Sequence, residues 1–355
     1  MTRPARIGQR EFGALDDGRC VNEYLLDNGR GMTLTAINLG GIVTSVRVPD
    51  RHGRIDNIVL GFAALADYAQ RNPHFGTIVG RCANRIAGGR FALDGDVHAL
   101  PCNDGPNTLH GGVRGFGARW WQASLAPPAA DGSVTLRLHY TSADGEEGFP
   151  GRLDVSVDYT LTVHNEWRID YRATCARATV VNLSHHDYFN LAGSGSALAH
   201  RLTLAASRFT TIDRHLIPVA VVPVEGTPFD FRQPTRVDER IRAGDAQLAL
   251  ARGYDHNWVL ERTGAGLCFA ARLEDDVSGR SLEIETTEPA LQFYSGNFLD
   301  GSLLGSGGAL YRQGDGLCLE PQHHPDAPNR PDFPSVVLRP GAVYASSTLY
   351  RFAAH

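Results

Sequence analysis

The chain has 355 residues, 42% of them hydrophobic and 21% charged, with a net charge of −5, the balance of an ordinary globular protein. That balance excludes the basic footprint of nucleic-acid or anionic-membrane binding. No apolar run approaches the ~18 residues of a membrane span, and no apolar stretch follows the basic start "MTRPARIGQR", so neither a membrane span nor an export signal is expected.

Taken in chain order, the predicted elements are mostly short strands. The segment "ALADYAQR" (64–71) is the best helix candidate. From there apolar residues recur every second position. "SVTLRLHYTS" places Val134, Leu136, Leu138 and Tyr140 on one face, and "LDVSVDYTLTV" does the same with Leu153, Val155, Val157, Tyr159 and Leu161. "EWRIDYRATC", "HRLTLAAS", "NWVLER" and "RSLEIETTE" follow the same rule, with turn signals such as "ADG" and "DDG" elsewhere between runs. So many short strands predict an all-β fold, a large antiparallel β-sandwich with few short helices. No shift of composition marks a linker, so residues 1–355 are expected to form a single domain. Six scattered cysteines (Cys20, Cys82, Cys102, Cys175, Cys268, Cys318) form no CxxC pair, which predicts reduced thiols and a cytoplasmic location.

Five stretches embed polar groups among glycines and aromatics: "FGTIVGRCANRIAGGRF" (75–91), "NTLHGGVRGFGARWW" (107–121), "NLSHHDYFNLAG" (182–193), "RGYDHNWVL" (252–260) and "CLEPQHHPDAPNRPDFPSVVLRPG" (318–341). A sixth, "LQFYSGNFLDG" (291–301), is weaker. The glycines around Asn84 and Arg85 lack the Lys-[Ser/Thr] of a phosphate loop, so Arg85 is either an ion-paired strand residue or a fork of donors for hydroxyl oxygens. His110 precedes two glycines, where a sharp turn exposes a ring. On a strand, His185 and His186 face opposite sides, so only one can enter a shared site. Asp255 is either a turn residue or a site carboxylate. Glu320 lies where an apolar run gives way to proline, as an arginine partner or a base in a cleft. A metal would need His186, His110, Asp255 and Glu320 together, and no HExxH-type pair supports one, so no metal is expected. No nucleophile elbow is present. The inventory of one carboxylate, one histidine acid and several hydrogen-bonding groups suits proton transfer on an uncharged polyhydroxyl compound.

"NPHFGTIVGRCANRIAGGRF", "LHGGVRGF", "NLSHHDYFNL", "GYDHNWVL", "LQFYSGNFL" and "EPQHHPDAPN" resemble, in order, the motifs of the aldose 1-epimerase (galactose mutarotase) family, over about residues 12–352. The resemblance implies a cofactor-free isomerase on the family's large β-sandwich that interconverts α and β anomers of free aldoses such as glucose or galactose. By resemblance His186 is the acid and Glu320 the base, and Asn84, Arg85, His110, Asp255 and Gln292 hold the sugar, with Tyr188 lining the pocket. It implies a monosaccharide substrate, no nucleic-acid or membrane partner, and a monomer or homodimer. His185, Pro321 and His324 depart from the family's usual asparagine, threonine or serine, and aromatic residue. His185, His256, His323 and His324 are read as loop residues or supports behind the site, and Trp120, Trp121 and Trp258 as core. The mechanism needs a protonated His186, favoured by a carboxylate such as Asp255 or Glu320, beside an ionised Glu320. The alternatives are a non-catalytic sugar-binding module and a hexose-phosphate mutarotase. The latter needs several cations, for which only Arg85 and Arg81 offer themselves.

Overall fold

A computed structural model describes residues 3–355. Three antiparallel sheets carry most of the strand residues. The first is a five-stranded meander of Arg6–Ala14, Cys20–Asp27, Thr33–Ile37, Val43–Pro49 and Ile55–Asn57. The second has nine strands, in the order Gln122–Leu125, Val134–Ser142, Leu153–Leu161, Glu166–Cys175, Tyr344–Ala354, Arg280–Thr286, Cys268–Glu274, Arg201–Leu204 and Thr235–Arg236. The third runs Pro218–Pro223, Arg208–Ile212, Asp255–Val259, Ala290–Tyr294 and Cys318–Gln322. The all-β expectation holds, and the alternation explains it. Leu153, Val155, Val157, Tyr159 and Leu161 are fully buried, while the residues between them face outward.

The strands read from the sequence are found. The expected helix spans Leu65–Arg71. A second, Ala246–Ala251, was not foreseen, although Asp245 caps it by accepting from the Gln247 and Leu248 N–H groups. Trp121 and Trp258 are fully buried, as expected, whereas Trp120 is half-buried and donates to the Cys20 carbonyl. All six cysteines are free. Among the described residues no helix is long and apolar enough to cross a membrane.

The third sheet positions the site because its two faces differ in chemistry. Phe209, Trp258, Leu291, Phe293 and Leu319 join the apolar cluster that also holds Leu136, Val157, Ile169 and Ile284 of the nine-stranded sheet. The opposite face is polar. Register pairs Asp255 with Tyr294 and Tyr294 with Cys318, and pairs Asn257 with Gln292 and Gln292 with Glu320. Residues directly opposite share a face, so three neighbouring strands deliver Asp255, Gln292 and Glu320 to the same side.

Candidate active site

A cavity of about 280 Å³ lies over that polar face, at the small end of the ~300–1,000 Å³ usual for ligand sites. It is lined by all eight residues singled out from the sequence: Asn84, Arg85, His110, His186, Tyr188, Asp255, Gln292 and Glu320.

His186 reaches the cavity from the segment after the short strand Ser184–His185, which pairs with Ile78–Val79. Its backbone N–H donates to the Thr77 carbonyl at 3.0 Å and its carbonyl accepts from Gly76 at 2.9 Å. As strand geometry requires, His185 points the other way, into the core against Tyr159 and Trp167. The Tyr188 ring stacks on His186 with centroids 5.1 Å apart, and its hydroxyl donates to the Pro73 carbonyl. Tyr188 therefore shapes the wall and orients the imidazole.

Asn84, Arg85 and His110 come from two segments paired through Arg85–Ile86 and Thr108–Leu109. Asn84 and His110 both adopt left-handed backbone, with φ of 61° and 51°, a conformation that non-glycine residues hold only when their surroundings demand it. Here the demand is mutual: the Asn84 N–H donates to His110 Nδ1 at 3.2 Å, and the His110 N–H donates to the Asn84 carbonyl at 3.0 Å. The following Gly111 has φ of 87°, and a Cβ there would collide with the Gly80 backbone. The Asn84 Oδ1 is spent on the Arg85 N–H. Arg85 donates from Nε to Asp104 Oδ2 at 2.7 Å, and its Nη1 lies 3.8 Å from Asp255 Oδ2.

Arg81 is elsewhere. It is buried and donates to the Pro150, Gly151 and Ala143 carbonyls and the Ser142 and Thr179 hydroxyls. It is a structural staple and lends the cavity no cation. Of the other histidines, His185 and His256 are buried strand residues rather than loop residues. His324 is buried against Asn257, and His323 is half-buried against Glu288.

His74 was missed. It lines the cavity with its ring 4.7 Å from that of His110 and 5.6 Å from that of His186. Its left-handed backbone (φ 72°) turns it inward, and the only sequence signal was its place in "NPHFG". Asp104, Tyr294 and the Phe298–Leu303 rim were likewise not singled out, and Phe298 is 52% exposed at the mouth.

His186 Nε2 stands 3.6 Å from Glu320 Oε1, and both side chains are buried. Burial holds the Glu320 carboxyl well above its usual range, the nearby Asp255 charge adds to this, and Arg85 only partly opposes it. Burial likewise pushes His186 well below its usual value, and His74 adds to the effect. Desolvation thus works against an ionised Glu320 beside a protonated His186, and favours the uncharged form of each group. His74 is pushed down to about 4 by burial, and His110 well below its usual value. Asp255 is raised by burial against the pull of Arg85 and of Gln292, whose Nε2 donates to it.

His110, His186 and Glu320 bring one possible ligand atom each within 4.8 Å of one another, so a metal has to be tested on the donors. Because His110 Nδ1 accepts the Asn84 N–H, the neutral ring carries its proton on Nε2, the nitrogen left for the cavity. A metal-bound histidine has the opposite arrangement, with its lone pair on the metal and its other nitrogen donating outward. The set fits a hydrogen-bond donor beside an acid–base pair, and does not fit a metal.

The sequence profile of aldose 1-epimerase matches residues 22–351. The chain is 43% identical to the galactose mutarotase of Rattus norvegicus over 345 residues, covering 96% of this chain and 97% of that one. It is 38% identical to the aldose 1-epimerase of Escherichia coli strain K12 over 342 residues, covering 95% and 97%. Its fold is similar to that of galactose 1-epimerase from Lactobacillus acidophilus, with a TM-score of 0.87 at 26% identity over 99% of both chains. The GalM/aldose epimerase homologue from C. elegans gives a TM-score of 0.84 at 31% identity, over 92% and 96%. On sequence and architecture together, this chain belongs to the aldose 1-epimerase family.

Proposed function

We propose that the chain is a mutarotase that opens and recloses the ring of a free aldose, with Glu320 serving O1 and His186 serving O5. The supporting observation is the 3.6 Å spacing of His186 Nε2 and Glu320 Oε1 in one cavity. O1 and O5 are both bonded to C1, so the groups that serve them must be neighbours. On opening, Glu320 takes the O1 proton while His186 gives a proton to O5, and the C1–O5 bond breaks to the aldehyde. Rotation about C1–C2 and closure on the other carbonyl face reverse both transfers, with no net change in protons.

The two proton arrangements match the two states of the sugar. Hydroxyl donors on a bound pyranose stabilise the Glu320 anion and move the shared proton to His186, giving the charged pair that opening requires. The open aldehyde faces the neutral pair, which burial favours. Ring opening therefore discharges a pair that the cavity disfavours, and general acid–base assistance of ~10²–10⁴ per group follows. Arg85, Asp255, Asn84 and the His110 Nε2–H hold the remaining hydroxyls, which is the positioning that makes the transfers productive.

Arg85 is the one cation lining the cavity among the described residues, and it already faces Asp104 and Asp255, which favours a free sugar over a phosphorylated one. The free thiols fit a cytoplasmic location. The test is polarimetry on fresh α-glucose and α-galactose: Glu320→Gln and His186→Asn should each lose ~10²-fold or more in catalysed equilibration. Wild-type rates in either variant would refute the assignment.

A further inference from the structure

Behind His186 lies a second set of ionisable groups that the proposed chemistry does not use. His185 and Asp187 are 0% and 1% exposed, and His185 Nδ1 lies 2.6 Å from Asp187 Oδ2. The other ring nitrogen, Nε2, is 2.9 Å from the Tyr159 hydroxyl oxygen. That hydroxyl is also 2.7 Å from the Gly41 carbonyl.

Hydrogen-bond accounting fixes the protons. A carbonyl only accepts, so the single Tyr159 proton goes to Gly41, and His185 Nε2 must donate to the tyrosine oxygen. A second proton then lies between Nδ1 and the Asp187 carboxylate. The pair thus holds a positive and a negative charge, or neither, and is neutral as a unit.

This unit is fastened to the strand that carries Glu320. The Ser184 hydroxyl donates to the Pro321 carbonyl at 2.9 Å, and Phe189 and Leu317 exchange backbone bonds at 2.8 and 2.9 Å. The 184–189 segment therefore runs beside the Glu320 strand, and the Asp187 charge is felt at Glu320. Asp187 Oδ1 has no hydrogen-bond partner among the described residues. The other charged or titratable groups facing the catalytic couple are Asp255, Arg85, His110 and Tyr294 from the cavity side, His74 and Tyr188 beside His186, Cys318 on the Glu320 strand and Tyr350. Those facing Asp187 from other elements are Tyr159, Tyr171, Tyr350, Cys318 and Glu320.

We propose that Tyr159, His185 and Asp187 form a buried relay that positions the His186–Glu320 pair and sets its charge balance from behind, an inference that rests on the acid–base reading above. None of the three lines the sugar cavity, so all three are positioning residues. With the pair in its charged form, removing the Asp187 carboxylate takes a negative charge away from Glu320, whereas removing the His185 ring leaves that charge uncompensated.

The test is the pH profile of kcat/KM for the full chain, by polarimetry with the spontaneous rate subtracted. Asp187→Asn should move the alkaline limb to lower pH and His185→Asn to higher pH, each by about half a unit or more. The double variant should restore the wild-type limb, and KM should stay within about twofold throughout. If His185→Asn does not fold, Asp187→Asn against the double variant still carries the comparison. Limbs unmoved in Asp187→Asn, or single variants shifting in the same direction, would overturn the relay and leave a purely structural role. A wild-type chain without anomerase activity would instead overturn the acid–base reading beneath it.

Discussion

The Gln292 Nε2 amide donates to Asp255 Oδ1 at 2.6 Å, so the two residues face the cavity as one unit. Gln292 keeps its second amide hydrogen and its carbonyl oxygen, and that oxygen is buried without a partner. Asp255 in turn faces Arg85 across 3.8 Å. Asp255→Asn removes the charge that opposes the guanidinium and leaves the amide pairing without its charge assistance. The loss of one charge-assisted contact is worth ~1.5–3 kcal/mol. The expected outcome is a ~10–100-fold fall in kcat/KM, most of it in KM, measured on glucose and galactose. A fall confined to kcat would show that Asp255 acts on the reacting atoms instead.

The acid limb of the activity profile should lie below the usual histidine range. Burial lowers His186, so the couple takes up a second proton only below about 6.5, the ordinary histidine value. Burial raises Glu320, so the couple releases its one proton only above the usual carboxylate range. An acid limb of kcat/KM with its inflection between about pH 6 and 7 would contradict a buried neutral couple.

Fold stability should fall in mild acid. His200, His256 and His324 are buried and pushed down to about 4, about 3 and about 4 by desolvation. Their folded values are depressed, so the unfolded chain binds the extra protons. The stability they confer is present above about 6.5 and lost as pH falls from there toward 4. At pH 5 each should cost about 2 kcal/mol relative to pH 7. Denaturant midpoints at the two pH values measure it, and equal midpoints would contradict the burial of these rings as neutral groups.

Arg81→Met tests the staple. Truncation strands the Pro150 and Gly151 carbonyls and the Thr179 hydroxyl that the guanidinium now serves, at ~1–3 kcal/mol for each group left buried and unpaired. A loss of several kcal/mol in unfolding free energy is expected, with KM for sugar unchanged in the folded fraction. A selective rise in KM would place Arg81 in the site.

Arg81 also shows where sequence reading stops. Four positions separate it from Arg85 in a glycine-rich stretch, and nothing local says which guanidinium faces the cavity. Tertiary contacts decide, through the 142–151 segment for one and Asp104 for the other. By contrast Glu320, His186 and Asp255 stood out as polar residues among apolar ones, strand alternation allowed only one of His185 and His186 into a shared site, and their roles came from the family resemblance. Five strands of the nine-stranded sheet were legible from their alternation. The N-terminal meander was not, since a bulge between Glu11 and Gly13 breaks the period of its first strand. His74 stayed hidden because its inward turn depends on a left-handed backbone that no residue type announces.

The polar face of the third sheet has a further consequence. Leu319 and Pro321 flank Glu320 on the strand Cys318–Gln322 and look the opposite way. Sliding that strand by a single residue would hand the sugar a leucine and drop a carboxylate into oil. Any mutation that loosens the pairing thus threatens solubility and turnover together, so selection for catalysis also polices how the chain folds.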